Sequence, residues 1–251
     1  RKPMHRYRIH PIVTGTKIFD KTMMTHQHGY GQQYTIPIYS WYLEGGDLKI
    51  LVDTGELSPI QSEDRQKAIG GRIFTFEDGL ARYGLKPEHI DMVIHTHLHN
   101  DHCENDYKCV NAQIYVHPEE LEAVHNPHPL DFRYLEDFIL DVEENGQIRV
   151  VSEDAEITAG VRVLHTPAHS PGGLSVAVDT TEGTAVITGF CTIDENFYPP
   201  REIRAMEMDV IPPGTHVNAY EAYDILVRVK EMADILLPLH EPRFAGIDTI
   251  G

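Results

Sequence analysis

The sequence predicts an α/β protein built as a four-layer αββα sandwich, with two mixed β-sheets packed face to face and helices on the outside. Three observations predict it. Strand-like runs followed by a helix-like run recur twice along the chain, so each half offers a sheet and a cover for its outer face. No linker and no shift in composition separates the halves, so one domain over 1–251 is expected. The strand-like run Met92-Val93-Ile94 ends in a cluster of histidines, which places a polar site where a buried strand stops.

The elements follow in order. Residues 1–35 are polar and irregular and read as an N-terminal loop; the His26-Gln27-His28 within it is flanked by glycines and glutamines. Tyr34 to Leu43 and Leu48 to Val52, joined by Glu44-Gly45-Gly46-Asp47, read as a β-hairpin. Thr75 caps a helix that Gly84 stops. After the central strand, Gln113 to Val116 is a strand, and Pro118 opens a helix with Glu119 and Glu120 in its first turn. His117, His125 and His128 lie in a polar segment and read as surface residues. Leu130 to Leu140 carries Phe132, Leu135, Phe138 and Ile139 at helical spacing, a core pattern. Strands are expected over 147–151, 161–164, 173–178 and 184–188. Asn218 begins a capped helix with Ala222, Ile225, Leu226, Val229 and Met232 on one face, and 235–237 is a final strand.

The chemistry concentrates in His97-Leu98-His99-Asn100-Asp101-His102. Imidazole nitrogen and carboxylate oxygen are the donors that zinc and neighbouring divalent ions take. At a strand end His97 and His99 point the same way by the period of two, and the loop can turn Asp101 and His102 toward a second point nearby. That spacing suits two adjacent metal positions. Without a metal, so dense a cluster would leave buried polar groups unpaired at about 1–3 kcal/mol each. A lone histidine is more often a satisfied structural residue, and His165, on a strand, is read that way.

This stretch matches the H-x-H-x-D-H signature of the metallo-β-lactamase superfamily, and Thr96-His97-Leu98-His99 resembles its acyl-homoserine-lactonase-like branch. The resemblance covers about residues 37–242 and implies the metallo-β-lactamase fold. Further motifs follow it. Val52-Asp53-Thr54-Gly55 is similar to the first family motif, which makes Asp53 a residue that orients a ligand histidine. His165-Thr166-Pro167-Ala168-His169 is similar to the third, which makes His169 a ligand beside His97 and His99. His240, just after the last strand, is implied to join Asp101 and His102. The N-terminal loop is implied to act as a flap. The departure is Thr188-Gly189-Phe190-Cys191, where the lactonase pattern has a metal-bridging aspartate and this chain has no acid. Three alternatives stand: Cys191 is a thiolate ligand, Asp194 reaches back, or no protein bridge exists.

The expected function is a metal-dependent hydrolase that opens a small cyclic ester, a lactone, by attack of a metal-bound hydroxide, with Asp101 passing the proton to the leaving group. The alternatives are an amide, β-lactam or thioester hydrolase, and an iron-dependent oxygen or redox enzyme of the same fold. The expected cofactor is zinc, one or two ions, with iron or manganese as substitutes. The formal net charge of −18 argues against a nucleic-acid surface. No run of about 18 apolar residues argues for a membrane span. Three cysteines, Cys103, Cys109 and Cys191, are too few for a disulfide framework. A soluble cytoplasmic protein acting on a small-molecule substrate is expected, with homodimerisation as in similar lactonases.

Overall fold

The computed structural model describes residues 5–251. The first sheet has six strands in spatial order β1 (Arg8–Asp20), β2 (Gln33–Glu44), β3 (Ile50–Val52), β4 (Met92–Ile94), β5 (Gln113–Val116) and β6 (Ile148–Val150). The second has five strands: β7 (Ala155–Thr158), β8 (Val161–His165), β9 (Leu174–Thr180), β10 (Gly183–Ile187) and β11 (Ile235–Leu237), in spatial order β11-β10-β9-β8-β7. Both sheets are mixed: β3 to β6 run parallel beyond an antiparallel pair, and β11 lies parallel to β10 in an otherwise antiparallel sheet.

The period of two assigns each strand residue to a layer. Ile50, Val52, Met92 and Ile94 from the first sheet meet Val161, Val163, Val176, Ala185, Ile187 and Leu237 from the second in the central core. The alternate residues Leu51, Val93 and Ile114 face outward and are covered by Phe76, Leu80, Val124 and Val142 from the helices Phe76–Ala81, Pro118–His125 and Leu140–Glu144. On the far side Leu164, Ala177, Val186 and Leu236 are covered by Ala222, Ile225, Leu226 and Val229 of the helix Ala219–Met232. Three apolar layers make four layers of structure, as expected. The short central strands β3 and β4 are apolar throughout because both of their faces are buried.

Sequence expectation and structure part in three places. Residues 8–20 are not loop: β1 is a strand of 13 residues paired along its length with β2. Its polar residues misled the reading, because partners in the hairpin and the 56–65 segment satisfy them; Thr14 Oγ1, for example, donates to the Ile38 carbonyl at 3.1 Å. Only Lys21–Gln32 remains as an N-terminal loop, and residues 1–4 of that expected region lie outside the described residues. The segment 130–140 is not a helix but turns with one 3-10 turn, Glu136–Phe138; Leu130 and Phe132 are exposed, and Tyr134 and Ile139 are the buried anchors. Strand β7, made of polar Ala155-Glu156-Ile157-Thr158, went unread because it is an edge strand with exposed residues.

The directions matter for function. β8 and β10 both run antiparallel to β9, and β11 runs with β10, so these three strands end at one edge of the second sheet. β3 and β4 end together in the first. The backbone bond from Leu174 N to the Thr96 carbonyl, 2.8 Å, ties the two edges to each other. The loops after β3, β4, β8, β10 and β11 therefore meet, the usual place for a site in layered α/β folds.

Leu226 is fully buried under the second sheet. Leu226→Ala should lower the unfolding free energy by ~2–5 kcal/mol, read from denaturant melts; an unchanged midpoint would contradict this packing scheme.

Candidate metal centre

Asp53 opens the site. It follows β3 with φ of 61°, a left-handed conformation costly for a residue other than glycine. Its fully buried carboxylate holds it there. Oδ1 accepts from Thr96 N at 2.9 Å, and Oδ2 accepts from Thr96 Oγ1 at 2.7 Å and His102 Nδ1 at 2.8 Å. His95 Nδ1 lies 3.2 Å from Oδ1, and His95 Nε2 reaches Asp106 Oδ2 at 2.6 Å on its other side. Burial would raise the Asp53 pKa, but His102 and His95 outweigh it and hold the carboxyl far below the usual range. Burial likewise opposes charge on His95, but Asp106 and Asp53 prevail and lift it to about 10.

Five imidazoles converge from these loops, and each is held from behind. His97 Nδ1 donates to Thr96 Oγ1 at 3.0 Å, which in turn donates to Asp53. His99 Nε2 donates to Asp131 Oδ2 at 3.0 Å. His102 Nδ1 is on Asp53, His169 Nδ1 donates to the Thr215 carbonyl at 2.9 Å, and His240 Nδ1 donates to the Pro37 carbonyl at 2.9 Å. With one nitrogen of each ring spent as a donor, the other carries a lone pair toward a common pocket. Carboxylates and carbonyls behind the imidazoles are the usual supports of metal-ligating histidine.

The facing nitrogens of His97, His99 and His169 lie within 4.8 Å of one another. His97 Nε2 is buried with no hydrogen-bond partner. His99 Nδ1 and His169 Nε2 are 3.0 Å apart, although both rings have their proton on the opposite side. Two lone pairs at that distance repel unless a cation lies against them, so this donor set fits a divalent metal. Burial, followed by the neighbouring histidines, holds His97 and His169 well below the ordinary imidazole range, so both are neutral and free to ligate. His240 is lowered to about 4, burial first and His102 second.

Asp101, His102 and His240 line the same pocket, with His102 Nε2 3.6 Å from Asp101 Oδ1. Among the described residues they are not drawn into a second close trio like the first. Burial opposes protonation of His102, but Asp101 and Asp53 raise its pKa above the ordinary value. Cys191 lines this pocket too; burial and then Asp101 push its thiol up to about 12. Phe190 points the other way, into the core with Phe197 and Val186. Asp194 does not reach back: its carboxylate is held by Arg243 at 2.8 and 3.2 Å. Of the three alternatives at the missing bridge, that removes the Asp194 one.

Sequence reasoning missed His95, Asp106, Asp131, Arg133 and Thr215. No local signal marks them, because each acts across a tertiary contact. Asp131 is 32 residues from His99, and Thr215 is 46 from His169. His117 was read as a surface residue but is buried, its ring stacked 4.1 Å from that of His165 with planes 14° apart. Glu119 stands near both. Ring lone pairs lie in the ring plane, so parallel rings do not converge on an ion, and His165 Nε2 braces the Pro171 carbonyl at 3.1 Å in the turn that carries His169.

The segment 21–32 packs against the pocket through Met23. Met23 and Met24 carbonyls accept from Thr215 N and Gly214 N, and Phe19 and Met23 join the pocket wall. A Cβ on Gly214 would collide with the Thr22 carbonyl, so glycine is required for this close approach. The pocket, about 30 Å³, shares Arg133 and His169 with an outer cavity of about 710 Å³ lined also by Ala123, Leu130, Tyr134, Pro171 and Val217 among others.

The chain is also similar to known proteins. Residues 34–189 match the family model described as the metallo-beta-lactamase superfamily. An N-acyl homoserine lactonase of a Bacillus species is 28% identical over 198 residues, 74% of either chain. Another from Bacillus thuringiensis is 29% identical over 196 residues, again 74% of each. The crystal structure of a quorum-quenching N-acyl homoserine lactone hydrolase superposes with a TM-score of 0.73 at 25% identity, covering 95% of this chain and 93% of that one.

If the support behind His99 matters, Asp131→Ala should weaken metal binding about 10–100-fold, measured by competition with a chromophoric chelator. Equal affinity in variant and wild type would show that Asp131 does not orient the ring.

Proposed function

Because the chain belongs to the metallo-β-lactamase superfamily and is a metal-dependent hydrolase, we propose that it opens a small cyclic ester, a lactone, with zinc as the ion. The observation that supports this most is the trio of facing imidazole nitrogens, one orphaned and two opposed at 3.0 Å, a donor set that suits a divalent cation. The lactone reading draws on the relatives named as N-acyl homoserine lactonases. His97, His99 and His169 would hold one ion; Asp101, His102 and His240, with Cys191 as a further donor, would hold a second. A divalent ion so held supplies a water acidified toward pKa about 7 and polarisation of a substrate carbonyl.

The chain's own residues do the rest. The supports behind each ring fix the direction of its lone pair. Phe19, Met23 and Ile36 form an apolar wall of the pocket, which strengthens electrostatic contacts beside it. Asp101 faces the same space and is placed to hold a proton and pass it to the departing alkoxide.

Removal of metal by a chelator should abolish hydrolysis of a simple lactone, and zinc should restore it. His97→Ala and Asp101→Asn should each lower kcat by about 100-fold or more with an unchanged far-ultraviolet spectrum. Wild-type rates in either loaded variant would sink the assignment. For Cys191, cobalt substitution should give a thiolate-to-metal charge-transfer band that Cys191→Ala lacks; its absence from the wild type would remove the thiol from the ligand set.

A further inference from the structure

Two residues line both the metal pocket and the outer cavity, Arg133 and His169. Among the described residues, Arg133 is the only lysine or arginine in either wall. Its guanidinium is held side-on: Nε donates to Asp131 Oδ1 at 2.9 Å, and Nη2 donates to Oδ2 at 3.1 Å. Asp131 is in turn held by His99 Nε2. The backbone is fixed as well, since Asn100 N donates to the Arg133 carbonyl at 2.9 Å and Tyr134 Oη donates to Glu120 Oε1 at 2.9 Å.

A guanidinium carries five N–H donors in a planar fork. The side-on pair uses two of them. Of the other three, the second on Nη2 and one on Nη1 form its end-on edge, and the last, on Nη1, points to the Cδ side. No protein acceptor among the described residues takes Nη1, and the side chain is 28% exposed. A rigid guanidinium with one edge occupied and the other open matches the two oxygens of a carboxylate. The surroundings do not attract anions in general: the formal net charge is −18, and Glu119 and Glu122 stand in the cavity wall. An anion that enters therefore needs a specific partner at the inner end, which is where Arg133 sits.

We propose that Arg133 anchors a carboxylate of the substrate, so that the class hydrolysed is a small ester carrying a carboxylate a few bonds from the scissile carbonyl. The inference rests on the hydrolase reading of the adjoining pocket and narrows it. The ester end lies against the histidines, the carboxylate lies on the end-on edge of Arg133, and the remainder extends into the outer cavity.

The test uses zinc-loaded protein, with metal content measured for every variant. Glutarate is the binding probe, followed by calorimetry. Mono-para-nitrophenyl glutarate and para-nitrophenyl butyrate are the paired esters. Wild type should bind glutarate, and Arg133→Met should weaken that binding by about tenfold or more. Arg133→Lys keeps a cation beside Asp131 but loses the fork, so it should fall between them, and it carries the comparison if Arg133→Met loses metal. The preference in kcat/KM for the carboxylate ester should fall about tenfold in Arg133→Met, mainly through KM. Equal glutarate affinity in all three proteins overturns the anchor. If wild type turns over neither ester, the placement of an ester beside the histidines fails, while the anchor still stands or falls on glutarate binding.

Discussion

Each imidazole of the site is fixed by an oxygen behind it, and the rest of the molecule is arranged to supply those oxygens. They come from five different places: Thr96 after β4, Asp53 after β3, Asp131 in the loop after the helix Pro118–His125, Thr215 in the loop packed against 21–24, and Pro37 in β2. Misplacing any one turns a lone pair away from the pocket. The sandwich is what brings these segments together, since the strand ends that carry the rings come from both sheets. Asp53 is the hub. Its strained backbone is held by contacts to His95, Thr96 and His102, so strand β3, strand β4 and the helix Asn100–Cys103 are fixed through one carboxylate.

Much of the fold was legible in the sequence, and the reason is physical. Buried strands such as Met92-Val93-Ile94 and amphipathic helices such as Ala219–Met232 carry their burial as a pattern of apolar residues. Asn218 caps that helix through Glu221 N at 3.0 Å, as its position in the sequence predicts. β1 and β7 were hidden because their polar side chains are exposed or satisfied by tertiary partners that no local window contains. The helix expected over 130–140 failed for the opposite reason. Phe132 and Leu135 stand at helical spacing but lie exposed, and Leu130 is exposed in the wall of the outer cavity.

The site divides in the same way. Residues that would hold a metal announce themselves by type and density, and the structure brings His97, His99, Asp101, His102, His169, Cys191 and His240 to one pocket. Residues that aim them do not, because an aspartate or threonine becomes a support only through where it lies in space. The Phe190-Cys191 pair is instructive. In the bend just past β10, Phe190 packs into the apolar layer beneath the helix Ala219–Met232 and Cys191 turns toward the histidines, so that stretch of the wall carries a thiol and no carboxylate.

The most direct measurement of the central claim is elemental analysis of the purified protein after dialysis. The arrangement of facing imidazoles predicts at least one stoichiometric equivalent of divalent metal per chain, zinc foremost. A folded protein that binds none, even when zinc is offered, would show that the buried lone pairs of His97, His99 and His169 are satisfied in some other way and would contradict the account.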